Sequence, residues 1–347
     1  MNTAAKIVVL PPLTDVSPAD LQAPLPFADS GRWQDGKAAM LDSTDHVPAL
    51  WGSGDEVAWA EGEPLMLVGP DGIGKTTLGQ QLALCRVGIR STLLGYPVSP
   101  AGGKVLYVAA DRPKQAIRSM RRMVTPDHYE MLEERLVVWK GPLPETLAAN
   151  QKILVQAAEF FGASDVVIDS LKDVQVDLTK DEVGARANVA FQELIASERE
   201  LLTLHHQRKQ MSGGAKPRTL ADVYGSRWLT AGQGSVFMLW GEPGDLVVDL
   251  LHLKQPVEDI GPLTLVHDHA HGSTSVHEGV DLVALIKAAN NGLSVQTAAV
   301  NLFTTAQPDR NQIEKTRRRL ESIVKAGLAD RRTVNGIVHY LDAQRLA

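Results

Sequence analysis

The octet Gly69-Pro70-Asp71-Gly72-Ile73-Gly74-Lys75-Thr76 constrains this chain more than any other eight residues. It fits the pattern G-x-x-x-x-G-K-S/T without a mismatch. An apolar run, Leu65–Val68, precedes it, and a stretch of helical apolar spacing, Thr76 to Val87, follows. A buried strand, a glycine-rich turn and a helix, in that order, aim backbone N–H groups at phosphate oxygens from the positive end of the helix. Gly69 to Gly74 then form a cradle with Lys75, Thr76 and Thr77. Lys75 is placed to reach the β- and γ-phosphates of a nucleoside triphosphate, and the Thr76 hydroxyl to hold magnesium. The loop therefore implies a nucleoside triphosphate with Mg2+ as the expected cofactors.

Such a site needs an acid at the tip of a neighbouring strand, and Asp169 follows Val166-Val167-Ile168 in that position. The apolar run buries the strand and turns the carboxylate toward the magnesium shell. Asp111, just past the run Val105–Val108, is the candidate base for an attacking water; a helix N-cap ahead of Arg112-Pro113 is its structural alternative. Apolar runs at Arg135–Trp139, Leu201–Leu204, Ser235–Trp240, Leu246–Leu253 and Leu263–His267 read as further strands. Helical stretches at 151–161 and 187–199 separate the earlier ones. Strands alternating with helices imply an α/β fold with a mostly parallel sheet, and the consecutive late runs imply antiparallel strands closing one edge.

Composition narrows the class. The 347 residues carry 35 Lys plus Arg against 41 Asp plus Glu, a net charge of −6, which excludes a wholesale basic coat for nucleic acid. The balance is uneven: −7 over residues 1–64 and +4 over 280–347. A single cysteine, Cys85, excludes a disulfide framework and a multi-cysteine zinc site. No apolar run approaches the ~18–20 residues of a membrane helix. Pro11 and Pro12 break the run Ile7–Leu10, against a signal peptide. A cytoplasmic protein with no membrane partner is expected.

The order of motifs resembles the RecA-like core of hexameric replicative helicases of the DnaB and RepA type, especially RepA-like ATPases of phages and mobile elements. The residues that carry the likeness are the phosphate loop, Asp111, Val166–Asp169 and Leu204-His205-His206-Gln207-Arg208-Lys209. Tyr224-Gly225-Ser226-Arg227 and Leu253-Lys254-Gln255-Pro256 complete it, over roughly residues 50–270. The resemblance implies a Mg-ATP-dependent helicase or translocase that hydrolyses ATP at the subunit interfaces of a homo-oligomeric ring, expected to be a hexamer. It makes Lys75, Thr76 and Asp169 the phosphate and magnesium residues and puts Asp111 where the family normally has glutamate. His205 or His206 becomes the polar sensor of the γ-phosphate. Lys254 stands where the family inserts a lysine into the neighbouring ATP site. The arginine finger expected two residues later is Pro256 here, so either the lysine acts alone or Arg227 supplies the charge.

The stretch Gln207–Arg218 is basic, contains glycine and lacks an apolar pattern. In the resembled fold it projects into the central channel, where Arg208, Lys209, Lys216 and Arg218 would track the phosphates of single-stranded DNA; a solvated linker would have the same composition. At the C-terminus, helices expected at Asp281–Ala289, Ser294–Phe303 and Asn311–Ala326 precede a hairpin around Asn335-Gly336, the order of a winged helix-turn-helix. It would meet duplex DNA or replication proteins through Arg317, Arg318 and Lys325. His267, His269 and His271 alternate as on one strand face, and solvated strand-end histidines are expected there rather than a metal site. The division is an acidic, proline-containing arm with at most one short helix over 1–48, a RecA-like P-loop NTPase core over 49–278 and a winged-helix domain over 279–347. A second functional class stays open: an ATP-switched DNA-binding mediator, loader or regulator of recombination that does not unwind.

Overall fold

The computed structural model describes residues 32–44, 46–208, 216–268, 270–277, 282–289, 292–303, 305–325, 327–334 and 336–343. In chain order the elements are α1 (Gly36–Asp42), β1 (Ala49–Ser53), β2 (Glu56–Ala60), β3 (Leu65–Gly69), α2 (Lys75–Val87), β4 (Thr92–Leu93), β5 (Tyr96–Pro97), β6 (Lys104–Ala109), α3 (Pro113–Arg121) and α4 (Tyr129–Arg135). Then follow β7 (Leu136–Lys140), α5 (Ile153–Phe161), β8 (Ala163–Asp169), α6 (Leu171–Val174), α7 (Asp181–Ile195), β9 (Glu200–His206), α8 (Trp228–Ala231), β10 (Ser235–Trp240), β11 (Val247–Lys254), β12 (Leu263–Asp268) and β13 (Ser273–Val276). The C-terminal elements are α9 (Leu282–Ala288), β14 (Leu293–Ser294), α10 (Val295–Phe303), α11 (Arg310–Lys325), β15 (Ala329–Val334) and β16 (Ile337–Asp342). No helix among the described residues is long and apolar enough to cross a membrane.

Nine strands form one sheet in the order β13-β12-β11-β10-β3-β9-β8-β6-β7. The six from β10 to β7 are mutually parallel, and β11, β12 and β13 close the other edge antiparallel, as the run pattern implies. Both faces are covered, so the central strands carry apolar residues on both faces and their alternation sorts them between two cores. Leu65, Leu67, Val105 and Tyr107 face one core, with α2, α3 and the β1–β2 hairpin. Met66, Val68, Leu106 and Val108 face the other, with α5 and α7. The β1–β2 hairpin brings Trp51 and Trp59 against the first core, a contribution the sequence pattern did not announce.

The helix expected over 187–199 lies instead at Asp181–Ile195. Asp181 and Glu182 fill its first turn, where carboxylates favour the positive end of a helix, and the chain turns at Glu198 with φ 58°. The C-terminal elements have their own core of Leu282, Ile286, Leu293, Ala298, Leu320 and Tyr340. Their three strands run β14-β16-β15, all antiparallel. Asn335 lies outside the described residues, and Gly336 takes φ 77° in the turn.

The strand order decides where a site can form. β3 lies between β10 and β9, and β9 separates it from β8, so the chain leaves β3 and crosses two strands before rejoining the sheet at β6. The crevice at the carboxyl ends of parallel strands is where such sheets take ligands. Gly69, Ala109, Asp169 and His206 all end strands there.

Candidate active site

The phosphate loop spans the gap between β3 and α2. Gly72 and Gly74 hold φ of 73° and 97°, in the left-handed region that side chains disfavour, which lets the chain reverse and enter the helix directly. Gly74 caps α2 without any side-chain hydrogen bond, so the first N–H groups of a 13-residue helix face the crevice. Lys75 is buried, and its ammonium donates to the carbonyls of Gly69 at 2.9 Å and Pro70 at 2.6 Å. Burial lowers its pKa to about 8, against the pull of Asp71 and Asp169. It therefore stays largely cationic at neutral pH.

Thr76 donates its hydroxyl to Oδ1 of Asp169 at 3.2 Å, and Tyr107 donates its own to Oδ2 at 2.6 Å. Tyr107 comes from the middle of β6 and is fully buried, so the carboxylate is fixed from two sides. Burial is the main influence on Asp169 and raises its pKa. The Thr76 hydroxyl and one carboxylate oxygen, both hard donors, suit magnesium, which takes most of its shell from phosphates and water. No cluster of three or more metal-ligating His, Cys, Asp or Glu exists among the described residues.

Asp111 follows β6, and its backbone N–H lies 3.4 Å from the Asp169 carbonyl, so the β6 and β8 tips are joined. Its carboxylate lines the crevice and accepts from Nε of Arg112 at 3.1 Å. It does not cap α3: the cap is Arg112, at φ 43°, ahead of Pro113 in the first turn. The alternative of an Asp111 cap thus fails on geometry, and the carboxylate faces the crevice.

The two histidines separate because neighbours on a strand point to opposite faces. His206 lies with Nδ1 3.0 Å from Oδ1 of Asp71, in the phosphate loop, and Nε2 3.4 Å from Ser170 Oγ. His205 is fully buried and donates from Nε2 to the Tyr224 carbonyl at 2.7 Å. Burial lowers both to about 4, so both are neutral. His206 is thus the residue that touches the loop, and His205 is turned away from it toward Tyr224.

A cavity of about 330 Å³ adjoins the loop and is lined by Lys75, Thr76, Asp111 and Asp169 among others. Lys254 and Arg227 are absent from its lining. Lys254 donates to the carbonyls of Thr230 and Ala231, at 3.4 and 3.0 Å, and so caps the end of α8. Arg227 stands exposed at the start of that helix. Of the candidate DNA residues, Arg208 and Arg218 are exposed, Lys216 is bound to Asp249 of β11 at 2.5 Å, and Lys209 lies outside the described residues. Arg317 and Arg318 share Glu314, at 3.3 and 3.5 Å, and Lys325 ends α11.

Two features of the crevice escaped the sequence reading. Arg118 of α3 and Arg122, the residue that caps its C-terminus, both line the cavity, four residues apart and so on one side of the helix. His267 is not solvated. It is buried on β12, donates from Nε2 to the Ile73 carbonyl at 2.9 Å, and meets Thr274 Oγ1 through Nδ1 at 2.7 Å. A Cβ at Gly74 would collide with its ring. Gln81 of α2 ties the same hairpin down, exchanging both backbone bonds of Thr274 at 2.8 and 3.2 Å. His269 lies outside the described residues, and His271 sits in the turn after β12, so the three do not share a strand face. The β12–β13 hairpin thus braces the loop from behind. His267→Ala is expected to weaken nucleotide binding about tenfold, the loss of one buried hydrogen bond. His267→Gln, which can still donate, should lose less. Calorimetric titration with a non-hydrolysable ATP analogue checks this; equal affinities for all three proteins would contradict it.

Residues 43–212 match the family described as an AAA domain, a range that holds the phosphate loop, Asp111, Asp169 and both histidines. Two solved structures are similar to the chain. One is the ATPase domain of another protein, at 11% identity, covering 62% of this chain and 85% of that one with a TM-score of 0.44. The other is a KaiC-like protein from the hyperthermophilic archaeon Pyrococcus horikoshii, at 14% identity, covering 68% and 100% with a TM-score of 0.45. No curated protein matches the chain.

Proposed function

We propose that this chain is a RecA-like P-loop ATPase and a ring-forming motor that hydrolyses ATP with magnesium and moves along single-stranded DNA. The observation that carries this reading is the tip of β9. His206 contacts Asp71 of the phosphate loop, while the next residues lead straight into the basic stretch 207–218. The chain on either side of that stretch returns to the same tip. Arg208 N–H donates to the Asp222 carbonyl at 2.8 Å, Tyr224 N–H to the His206 carbonyl at 3.0 Å, and His205 to the Tyr224 carbonyl. A change in the loop's phosphate occupancy therefore reaches the roots of the basic stretch through two adjacent residues.

In this reading Lys75 holds the β- and γ-phosphates. Thr76 and Asp169 would hold the magnesium ion, which when bound neutralises charge on the transferring phosphoryl group. Asp111 takes the proton of the attacking water. Lys254 and Arg227, away from their own crevice, serve the site of the next subunit in a ring of six. Arg208, Lys209, Lys216 and Arg218 track DNA phosphates. The division into an arm over 1–48, a core over 49–278 and a winged-helix domain over 279–347 belongs to the same proposal. In that last part α10 and α11 form the helix-turn-helix and β15–β16 the wing, meeting duplex DNA or replication proteins through Arg317, Arg318 and Lys325. We place the protein in the cytoplasm.

Single-stranded DNA is expected to stimulate the ATPase of the native chain. The double variant Arg208→Ala/Arg218→Ala should keep its basal turnover and lose most of the stimulation, with a shallower dependence on salt. Stimulation that survives both substitutions unchanged would count against the basic stretch as the DNA contact.

A further inference from the structure

His206 has more acceptors around it than protons to give. Its Nδ1 lies 3.0 Å from Oδ1 of Asp71, in the phosphate loop, and its Nε2 lies 3.4 Å from Ser170 Oγ. Ser170, the residue after β8, spends its own hydroxyl proton on Oδ2 of Asp173 in α6, at 2.6 Å. Burial keeps the imidazole neutral, so the ring carries a single N–H. An ionised carboxylate only accepts, and at 3.0 Å the proton therefore sits on Nδ1, facing Asp71. The bare Nε2 then meets Ser170 Oγ lone pair to lone pair, which accounts for the longer contact on that side.

The holder of that proton has a telling position. Asp71 belongs to the loop that wraps the phosphates, and its side chain is 83% exposed against 16% for His206. Its negative charge stands where phosphate charge gathers. The same charge acts on Lys75: burial lowers the lysine pKa, and Asp71 opposes that. Lys75 itself donates to the loop carbonyls of Gly69 and Pro70. The Lys75 ammonium and the His206 N–H, the two groups assigned to the terminal phosphates, are thus both engaged by atoms of the loop. One N–H directed at one anion cannot serve a second equally well. A γ-phosphate reaches His206 only by displacing Asp71, whereas a diphosphate ends one phosphoryl group short and leaves the contact in place.

We propose that Asp71 is a specificity-determining residue that competes with the γ-phosphate for His206 and so narrows the preference of the site for triphosphate over diphosphate, an inference that rests on the proposed role of His206 as the γ-phosphate sensor. The exchange makes the arrival of the γ-phosphate, and not of the nucleotide as such, the event that reaches the β9 tip.

Calorimetric titration of the full chain with ADP and with a non-hydrolysable ATP analogue, both with magnesium, tests it. The quantity read is the ratio of the two affinities in the native chain, Asp71→Ala, His206→Ala and the double variant. Asp71 is exposed, so its replacement leaves the core untouched, and ADP binding reports that each variant still forms its loop. Asp71→Ala is expected to shift the ratio about fivefold toward the triphosphate, the worth of one hydrogen bond regained. His206→Ala should shift it the other way. Adding Asp71→Ala to His206→Ala should then change nothing further, because the contested N–H is gone. Loss of a negative charge beside the phosphates, acting by itself, would persist without His206, so an equal shift in both backgrounds overturns the proposal. A ratio that His206→Ala lowers but Asp71→Ala leaves unmoved overturns it too, and leaves the sensor standing without a competitor. If His206→Ala leaves the ratio unchanged, the sensor role falls, and the competition with it.

Discussion

Asp169→Asn is expected to lower ATP turnover by about 10²–10³-fold while leaving the fold at least as stable as before. The first half follows from charge: asparagine keeps the shape and an acceptor for the Tyr107 hydroxyl but loses the anion that would face magnesium. The second half follows from burial, which raises the Asp169 pKa more than the hydroxyls of Tyr107 and Thr76 and the Lys75 charge lower it. A raised folded pKa means that the folded chain holds the proton more tightly than the unfolded one. The associated stability is present below the ordinary carboxylate pKa and is lost as pH rises through the folded value. At neutral pH the ionised side chain therefore weighs against folding. Steady-state ATPase assays and urea denaturation at pH 7 measure the two halves. Near-native turnover, or a lower urea midpoint for the variant, would contradict the role given to Asp169.

The largest stability effect is expected away from the crevice, at Arg86. Its guanidinium bonds Asp165 twice, at 2.6 and 3.2 Å, donates to the Ser99 carbonyl at 2.5 Å, and lies over the Trp59 ring at 5.6 Å. The two side chains are only 4% and 1% exposed, so solvent cannot take over either charge. Arg86→Met should destabilise the protein by about 3–5 kcal/mol, because it strands the Asp165 carboxylate in a dry interior. Replacing both, Arg86→Met with Asp165→Leu, should recover most of that loss. Urea midpoints of the three proteins decide it. A double variant as unstable as the single one would show that packing, and not the unpaired charge, carries the effect.

These two sites also show what could be read from the sequence. The phosphate loop was legible because its function fixes residue types at fixed spacing, and Asp169 because an apolar run ends on it. The parallel sheet followed from alternating runs, since strands covered on both faces are predominantly apolar. The Arg86–Asp165 pair was not legible. Its members are 79 residues apart and meet only because α2 crosses the start of β8. His267 differs from expectation for a related reason: Thr274 faces it across the β12–β13 hairpin, but Ile73 is 194 residues away and meets it only when that hairpin packs against α2. The division of labour between His205 and His206 depended on strand phase, which a two-histidine tip does not reveal by itself.

Strand separation is the measurement that tests the central claim most directly. The native chain, supplied with ATP and magnesium, is expected to release the labelled strand of a forked duplex. Lys75→Ala, which removes the ammonium that now spans the Gly69 and Pro70 carbonyls, should release none under the same conditions. A native chain that hydrolyses ATP faster on single-stranded DNA yet never separates the fork would contradict the motor. It would identify instead an ATP-switched DNA-binding protein.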